Sequence, residues 1–411
     1  MADAVVVGGG VVGLCAACWL RRAGLEVTVL ERAQPGAGAS WGNAGWVVPS
    51  HSTPLAHPGA LGRGLRWMLD PASPLWVRLR PERALWAWVL HFARFCSTAH
   101  VQRALPILVH LQRRSLELYE ELCARGLAFG FRRSGSLSAY RTEEGFREGL
   151  EEARLLTEHG VEAQPLVGRS AVEREPLLRE GLAGAVYFPQ DAHLDPARLV
   201  LELLRWAESE GVRVVAGAGA DGLEVDGRRV AVREGGRRHV PQVVVLAAGV
   251  WSGQLARTAD LRLPLLPAKG YSVTLEHADA QPRCPVMLSE ARVAVTPFED
   301  GRLRFAGTLE LGAWDTRVSR RRVEAIRRAA EQYLRVRATG GEVWCGLRPC
   351  TPDGLPLVGR VRELANLVVA TGHGTLGVSL APATAELVAA AALDGGGEGW
   401  EALRPDRFRK D

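Results

Sequence analysis

Apolar residues run unbroken from Ala4 to Val7, recur at helical spacing from Val11 to Leu20, and run again from Leu25 to Leu30. Short unbroken apolar runs mark strands buried on both faces, and the 3.6-residue period between them marks a helix. The pattern therefore predicts strand, helix (ending at Gly24) and strand, the second strand closing on Glu31. Farther on, helical periodicity covers Leu85 to Phe95, Leu105 to Leu122, Glu143 to His159, Asp195-Pro196 to Glu210, and Arg320 to Arg337. Strand patterns cover Phe129 to Arg141, Ala183 to Phe188, Val212 to Val215, Val243 to Ala248, Leu263 to Leu275, Arg292 to Pro297, Leu303 to Leu311 and Leu367 to Ala370. Glu299-Asp300-Gly301 reads as the hairpin joining two of them. The last apolar run turns at Thr371 into a helix reaching Ala392. A parallel sheet with helices on it, interleaved with a mainly antiparallel one, is the arrangement these runs predict.

The glycines sharpen this picture. Gly8, Gly10 and Gly13 stand between the first strand and its helix in the spacing Gly-x-Gly-x-x-Gly. Gly8 allows the tight turn, Gly10 lets the backbone approach a pyrophosphate, and Gly13 lets helix and strand pack closely. The helix start at Val11 and Val12 offers free N–H groups to the phosphates. Glu31, at the end of the second strand, suits ribose hydroxyls. Pro35 to Gly45 is a loop of small residues, including Ser40, Asn43 and Ala44, fit to lie against a flat ligand, and Trp46 and Val47 follow it. Val243 to Ala248 runs into Gly249 and Trp251, a strand end of the kind that carries ligands in open α/β sheets.

Composition adds little. The 411 residues suggest two or more domains, and 47% hydrophobic with 24% charged residues is ordinary for a globular enzyme. No apolar run is long enough to span a bilayer. The chain enters its first strand directly, which predicts no secretory signal, and seven cysteines in no framework spacing fit a reducing, cytoplasmic setting. Cys15 and Cys18 fall inside the first helix, where they read as packing residues. Net charge is +5, and the only lysines are Lys269 and Lys410. The arginines are dispersed among acidic neighbours, so no nucleic acid partner is expected. Six of the twelve tryptophans lie between Trp41 and Trp88. That block reads either as the core of a helical insertion or oligomer contact, or as a peripheral membrane surface.

Several separated segments resemble one family. They are the glycine turn at Gly8, Asn43-Ala-Gly45 with Pro49, Ala247-Ala-Gly249-x-Trp-Ser252, Lys269-Gly-Tyr-Ser272, Gly346-Leu-Arg348-Pro-x-Thr351-Pro-Asp353, and Gly372-His-Gly-Thr-Leu-Gly377. Together they resemble the D-amino acid oxidase superfamily of flavoproteins, nearest its bacterial D-amino acid dehydrogenase branch and next its glycine oxidase branch. The resemblance implies an α/β plus α+β architecture. A Rossmann-like FAD-binding domain of glutathione reductase type (1–60, 190–262 and 340–395) is interleaved with a mixed or antiparallel-sheet substrate domain. That second domain (61–189 and 263–339) carries a helical insertion, and 396–411 forms a tail.

The resemblance further implies non-covalent FAD, an amino acid substrate, and either a quinone or dye or O2 as electron acceptor. Cofactor contacts are expected from the glycine turn, Glu31, Arg32, Ser40, Asn43 to Val47, Ala220, Ala248, Gly249, Trp251, Gly346, and the run Gly372, His373, Gly374, Thr375, Leu376, Gly377. Arg348 is expected to bind the substrate carboxylate with its guanidinium fork. The alternative for Arg348 is a structural ion pair. Tyr271 and His51 are further substrate-binding candidates; Tyr271 reads equally as packing. No acid–base residue is expected, because holding the α C–H over the flavin supplies much of the effect. Lys269 reads either as positive charge near the redox centre or as a partner for a carboxylate. Ser289, Glu290 and the segment Ala381 to Thr384 depart from the relatives, which leaves the substrate open among D-amino acids, glycine or sarcosine, and D-proline-like imino acids. A tRNA-modifying flavoprotein is the rival from another class, disfavoured by the dispersed charge and the lack of a methyltransferase domain.

Overall fold

The computed structural model describes residues 3–60, 62, 73–78, 83–393 and 400–408. The opening pattern forms β1 (Ala4–Val7), α1 (Val11–Arg22) and β2 (Val27–Glu31). The other helices among the described residues include α2 (Arg83–Phe95), α3 (Thr98–Ala124), α4 (Glu143–Glu158), α5 (Arg169–Arg174), α6 (Pro196–Ser209), α7 (Ser252–Arg257), α8 (Arg320–Tyr333) and α9 (Gly377–Leu393).

β1 pairs in parallel with β2 on one side and with β13 (Val243–Leu246) on the other. β13 in turn pairs in parallel with β20 (Leu364–Thr371), and β9 (Arg213–Ala216) extends β2. β19 (Leu357–Val361) closes the sheet antiparallel to β20. The carboxyl ends of β1, β2, β13 and β20 therefore share one edge. α1 and α9 leave that edge side by side; Val11, Leu14 and Cys15 pack with Val378, Ala381 and Ala385. Cys15 and Cys18 are fully buried in α1, as packing residues would be, and burial pushes the Cys18 thiol up to about 12.

Among the described residues the second sheet has nine strands. Eight follow the order β18 (Glu342–Cys350), β14 (Leu266–Leu275), β17 (Leu303–Leu311), β16 (Val293–Pro297), β15 (Val286–Leu288), β5 (Ser136–Tyr140), β7 (Gly184–Phe188), β6 (Gln164–Val167). β4 (Leu75–Val77) pairs in parallel with β17. α8 covers one face, packing Val323, Ile326, Ala330 and Tyr333 against Tyr271, Val273 and Phe305. Two small sheets complete the strands: β10 (Gly222–Asp226), β11 (Arg229–Glu234) and β12 (Arg237–His239), and the pair β3 (Trp46–Val47) with β8 (Ala192–His193).

Three expectations change. The helix read from Leu105 starts at Thr98, where the Ser97 hydroxyl caps it by accepting from the His100 N–H, and Pro106 sits inside it. The first turns carry Thr98, His100, Gln102 and Arg103, so the apolar period is weak there and the reading started too late. Phe129 to Arg141 is strand only from Ser136 to Tyr140, because Gly130 and Gly135 take positive φ. In the Trp-rich block, Trp88 is core, Trp76 is half-buried on β4 and Trp86 is exposed, while Trp67 lies outside the described residues.

Candidate active site

The glycine turn is built for close approach. Gly8 has φ 110°, and a Cβ there would lie 2.5 Å from the Ala247 carbonyl oxygen; one at Gly13 would lie 1.9 Å from the Gly8 oxygen. α1 begins without a side-chain cap from Gly10 and without an acidic residue in its first turn. The Val11 N–H donates to Ser40 Oγ at 3.1 Å, drawing the small-residue loop over the helix start. Glu31 accepts the Gly9 N–H at 2.7 Å on Oε2 and the Ala33 N–H at 2.9 Å on Oε1. Arg32 lies over the Trp251 ring, 3.5 Å from its centroid, and Ala220 and Ala248 sit in the apolar cluster on this side. The Gly249 carbonyl accepts from Thr371 Oγ1 at 2.8 Å, joining the ends of β13 and β20.

The glycine run after β20 meets the end of β18. Cys350 bridges to His373, and the Gly374 N–H donates to the Pro349 carbonyl at 2.8 Å. Leu376 follows, Gly377 opens α9, and the first turn of that helix carries no acidic residue. The glycine turn near the start of the chain thus meets, at one edge, the Arg348 strand and the glycine run that opens α9 near its end.

β14 and β18 pair in register from Leu266–Cys350 to Thr274–Glu342, which puts Ala268 with Arg348, Gly270 with Gly346, and Ser272 with Trp344 on one face. The loop after β2 packs on that face: a Cβ at Gly42 would strike the Trp344 indole. Arg304 Nη1 donates to the Asn43 carbonyl at 2.7 Å, and Thr296 Oγ1 donates to the Ala44 carbonyl at 2.8 Å. Trp46 Nε1 donates to Thr296 Oγ1 at 2.8 Å. Arg304 and Ser272 were not read from the sequence as site residues, although both lie on this face.

Arg348 is half-buried, and Nη1 donates to the Thr308 carbonyl at 2.8 Å. Among the described residues no carboxylate pairs with it, so the structural ion pair is not formed. Desolvation lowers its pKa, yet a guanidinium stays charged at neutral pH.

Tyr271 is corrected. It lies on the opposite, α8-covered face, and its hydroxyl donates to Glu310 Oε2 at 3.0 Å. Lys269 shares that face and donates to Asp315 Oδ1 at 3.1 Å, which settles it as a carboxylate partner. Cys345, in register with Tyr271, also faces away from Arg348. Glu290 accepts from the Arg141 and Thr142 N–H groups at 2.9 and 3.0 Å, a structural use.

His51 stacks on Trp46, with ring centroids 5.2 Å apart, and burial lowers its pKa to about 4. His373 is buried, within 2.9 Å of Thr384 Oγ1 through Nε2, and burial lowers it likewise to about 4.

A family model described as FAD dependent oxidoreductase matches residues 3–391. The chain belongs to that family. D-amino acid dehydrogenase of Methylobacterium radiotolerans is 35% identical over 402 residues, covering 94% of each chain. The protein of the same name from Paramagnetospirillum magneticum is 36% identical over 406 residues, covering 94% of this chain and 93% of that one. Among solved structures, glycine oxidase from Geobacillus kaustophilus superposes with TM-score 0.81 at 24% identity, covering 100% and 99% of the two chains. L-proline dehydrogenase from P. horikoshii gives 0.76 at 20%, covering 99% and 97%. These two show the fold.

The residues present fit FAD. Two helix starts without acidic first turns converge on one sheet edge, which suits an anionic dinucleotide. On the facing strand, Ser272 Oγ is buried with no protein partner, on the same face as Gly270 and Gly346. Among the described residues no cluster of His, Cys, Asp or Glu could hold a metal, and no helix is long and apolar enough to cross a membrane.

Proposed function

We propose that this FAD-dependent oxidoreductase oxidatively deaminates D-amino acids, the substrate leaving as an imino acid that water hydrolyses to a 2-oxo acid and ammonia. The observation that carries this is Arg348: a guanidinium with no carboxylate partner among the described residues, on the strand tied to the α9 glycine turn. The names of the relatives at 35% and 36% identity point the same way.

In this reading the cofactor is held by the Gly8–Gly13 turn, Glu31, Arg32, Ser40, residues 43–47, Ala220, Ala248, Gly249, Trp251, Gly346 and residues 372–377. When bound, FAD would supply a two-electron acceptor for the substrate's α-hydrogen and its bonding electron pair. Arg348 binds the substrate carboxylate through two parallel N–H groups and so fixes the α-carbon. The first turn of α9 supplies partial positive charge that favours an anionic ring. His51 and His373 stay neutral, since burial disfavours their charged forms. The Trp344 indole lies across Gly346 on the Arg348 face, which favours small substrates.

Anaerobic mixing of the holoenzyme with D- and L-amino acids, glycine, sarcosine and D-proline tests the assignment. Loss of the oxidised flavin absorption is expected with small neutral D-amino acids. Reduction by glycine or sarcosine alone would move the assignment to an amine oxidase of that kind. Comparing O2 with a soluble quinone as oxidant then identifies the acceptor.

One surface supports contact with a membrane that holds a quinone. On α2, Trp86 and Leu90 are 47% and 63% exposed, four residues apart, and the helix carries Arg83, His91 and Arg94 but no acidic residue. An apolar ridge flanked by positive charge suits an anionic bilayer. Sedimentation with vesicles containing phosphatidylglycerol is expected, and its loss in Trp86→Ala/Leu90→Ala.

A further inference from the structure

Two irregularities in the central ladder converge on Arg348. β14 and β17 pair regularly from Tyr271–Gly307 to Leu275–Leu303, and again at Lys269–Glu310 and Ala268–Leu311. Between Lys269 and Tyr271 the register shifts, so that Gly270 faces two residues, Thr308 and Leu309. Thr308, inside this bulge, has φ 68°, a region that β-branched residues rarely enter. The conformation turns its carbonyl onto Arg348 Nη1. Gly270 supplies the floor: a Cβ there would lie 1.9 Å from Nη1 and 2.1 Å from Cζ. One arm of the guanidinium is thus tied to a bulged carbonyl, and its plane rests where any other residue would place a side chain. Bulges re-aim side chains beside functional sites, and a planar fork binds well only when its direction is fixed.

We propose that Gly270 and Thr308 are positioning residues, which hold the Arg348 fork so that its remaining N–H groups meet a substrate carboxylate. This rests on the reading of Arg348 as the carboxylate site.

The test uses flavin-loaded Gly270→Ala, Arg348→Ala and the double variant, with calorimetric affinity for propionate and for its neutral amide, propionamide. Gly270→Ala is expected to weaken propionate about tenfold or more while moving propionamide less than about twofold, because a displaced fork loses its charge-assisted bonds. With the D-amino acid substrate, the larger change falls on KM, not kcat. In the double variant Gly270→Ala adds nothing to Arg348→Ala, since both act through one group. Deleting Thr308, which restores one-to-one pairing, gives the same pattern where the protein folds.

Wild-type propionate affinity in folded Gly270→Ala, with binding lost in Arg348→Ala, overturns the positioning role and leaves the carboxylate site standing. A Gly270→Ala protein that folds poorly or holds no flavin also counts against the proposal, because Gly270 would then serve the sheet or the cofactor. Unchanged propionate binding in Arg348→Ala overturns the carboxylate reading and the positioning role with it.

Discussion

Arg407 grips Asp353 with two bonds, Nε to Oδ2 at 2.8 Å and Nη2 to Oδ1 at 2.9 Å, tying the end of the chain to the turn that follows the Arg348 strand. Both side chains are nearly buried, at 11% and 4% exposure. Arg407 also donates to the Leu355 and Pro356 carbonyls, and the Asp353 carboxylate accepts the Leu355 N–H at 3.1 Å. The acidic residue of the Thr-Pro-Asp segment is therefore a fastening for that turn. Removing one partner of a buried pair leaves the other charge uncompensated, so Arg407→Ala is expected to destabilise the fold by about 3 kcal/mol. Denaturant unfolding of the holoenzyme measures this. A loss below about 0.5 kcal/mol, the level of an exposed ion pair, would show that the fastening contributes little.

Arg348→Ala separates substrate binding from cofactor binding. Among the described residues the fork donates to the Thr308 carbonyl and pairs with no carboxylate, so its loss strands none. Losing a charge-assisted partner to a desolvated carboxylate costs about 2 kcal/mol or more, which corresponds to a KM raised by ~30-fold or more. The flavin spectrum is expected to stay intact. Steady-state kinetics beside the absorption spectrum checks both halves.

The opening strand, helix and strand were legible because their glycines sit where backbone geometry demands them. The site strand was less so. All ten residues of β14 are buried, so its apolar and polar positions do not alternate with exposure, and parity cannot be read from a run of this kind. Tyr271 was assigned to the ligand face for its chemistry and Ser272 was overlooked, although the two faces are the reverse. β10, β11 and β12 escaped for a different reason: apart from Val225 their exposed positions are charged, and the segments are short, which leaves a weak apolar signal. β18, carrying Arg348, begins with exposed Glu342 and three half-buried residues and ends in Pro349 and Cys350, and its strand character comes from pairing with β14.

Flavin attachment is expected to be non-covalent. Cys345 faces away from Arg348, and its thiol is pushed up to about 11, chiefly by burial. Cys350 shares the Arg348 face but is buried, and desolvation pushes its thiol up to about 12. Thiols so protonated are poor nucleophiles. Acid precipitation should leave all yellow colour in the supernatant; colour in the washed pellet would show a covalent bond.

Acid sensitivity follows from four desolvated groups whose effects oppose one another. His51, His193 and His373 have pKa values lowered to about 4, mainly by desolvation. In the unfolded chain these imidazoles titrate at their ordinary value near 6.5, so the stability that they contribute is present above 6.5 and lost as pH falls towards 4. Asp191 behaves in reverse. It is fully buried, and among the described residues no cation pairs with it; it accepts from the Ser50 and Ser136 hydroxyls at 2.5 Å each, and desolvation raises it to about 6. Its contribution is present below the ordinary carboxylate value and lost as pH rises through 6. Between pH 4 and 6 the three imidazoles take up protons on unfolding while Asp191 releases one, so the net effect of these groups is loss of stability in acid. Asp191→Asn removes the opposing contribution. The variant should be stabilised at pH 7 relative to wild type, on the order of 1–3 kcal/mol, and should lose stability more steeply from pH 6 to pH 4. Unfolding midpoints measured across that range decide the matter. Parallel pH profiles for the two proteins would mean that Asp191 titrates no differently in the folded state, and that the serine hydroxyls compensate its burial in full.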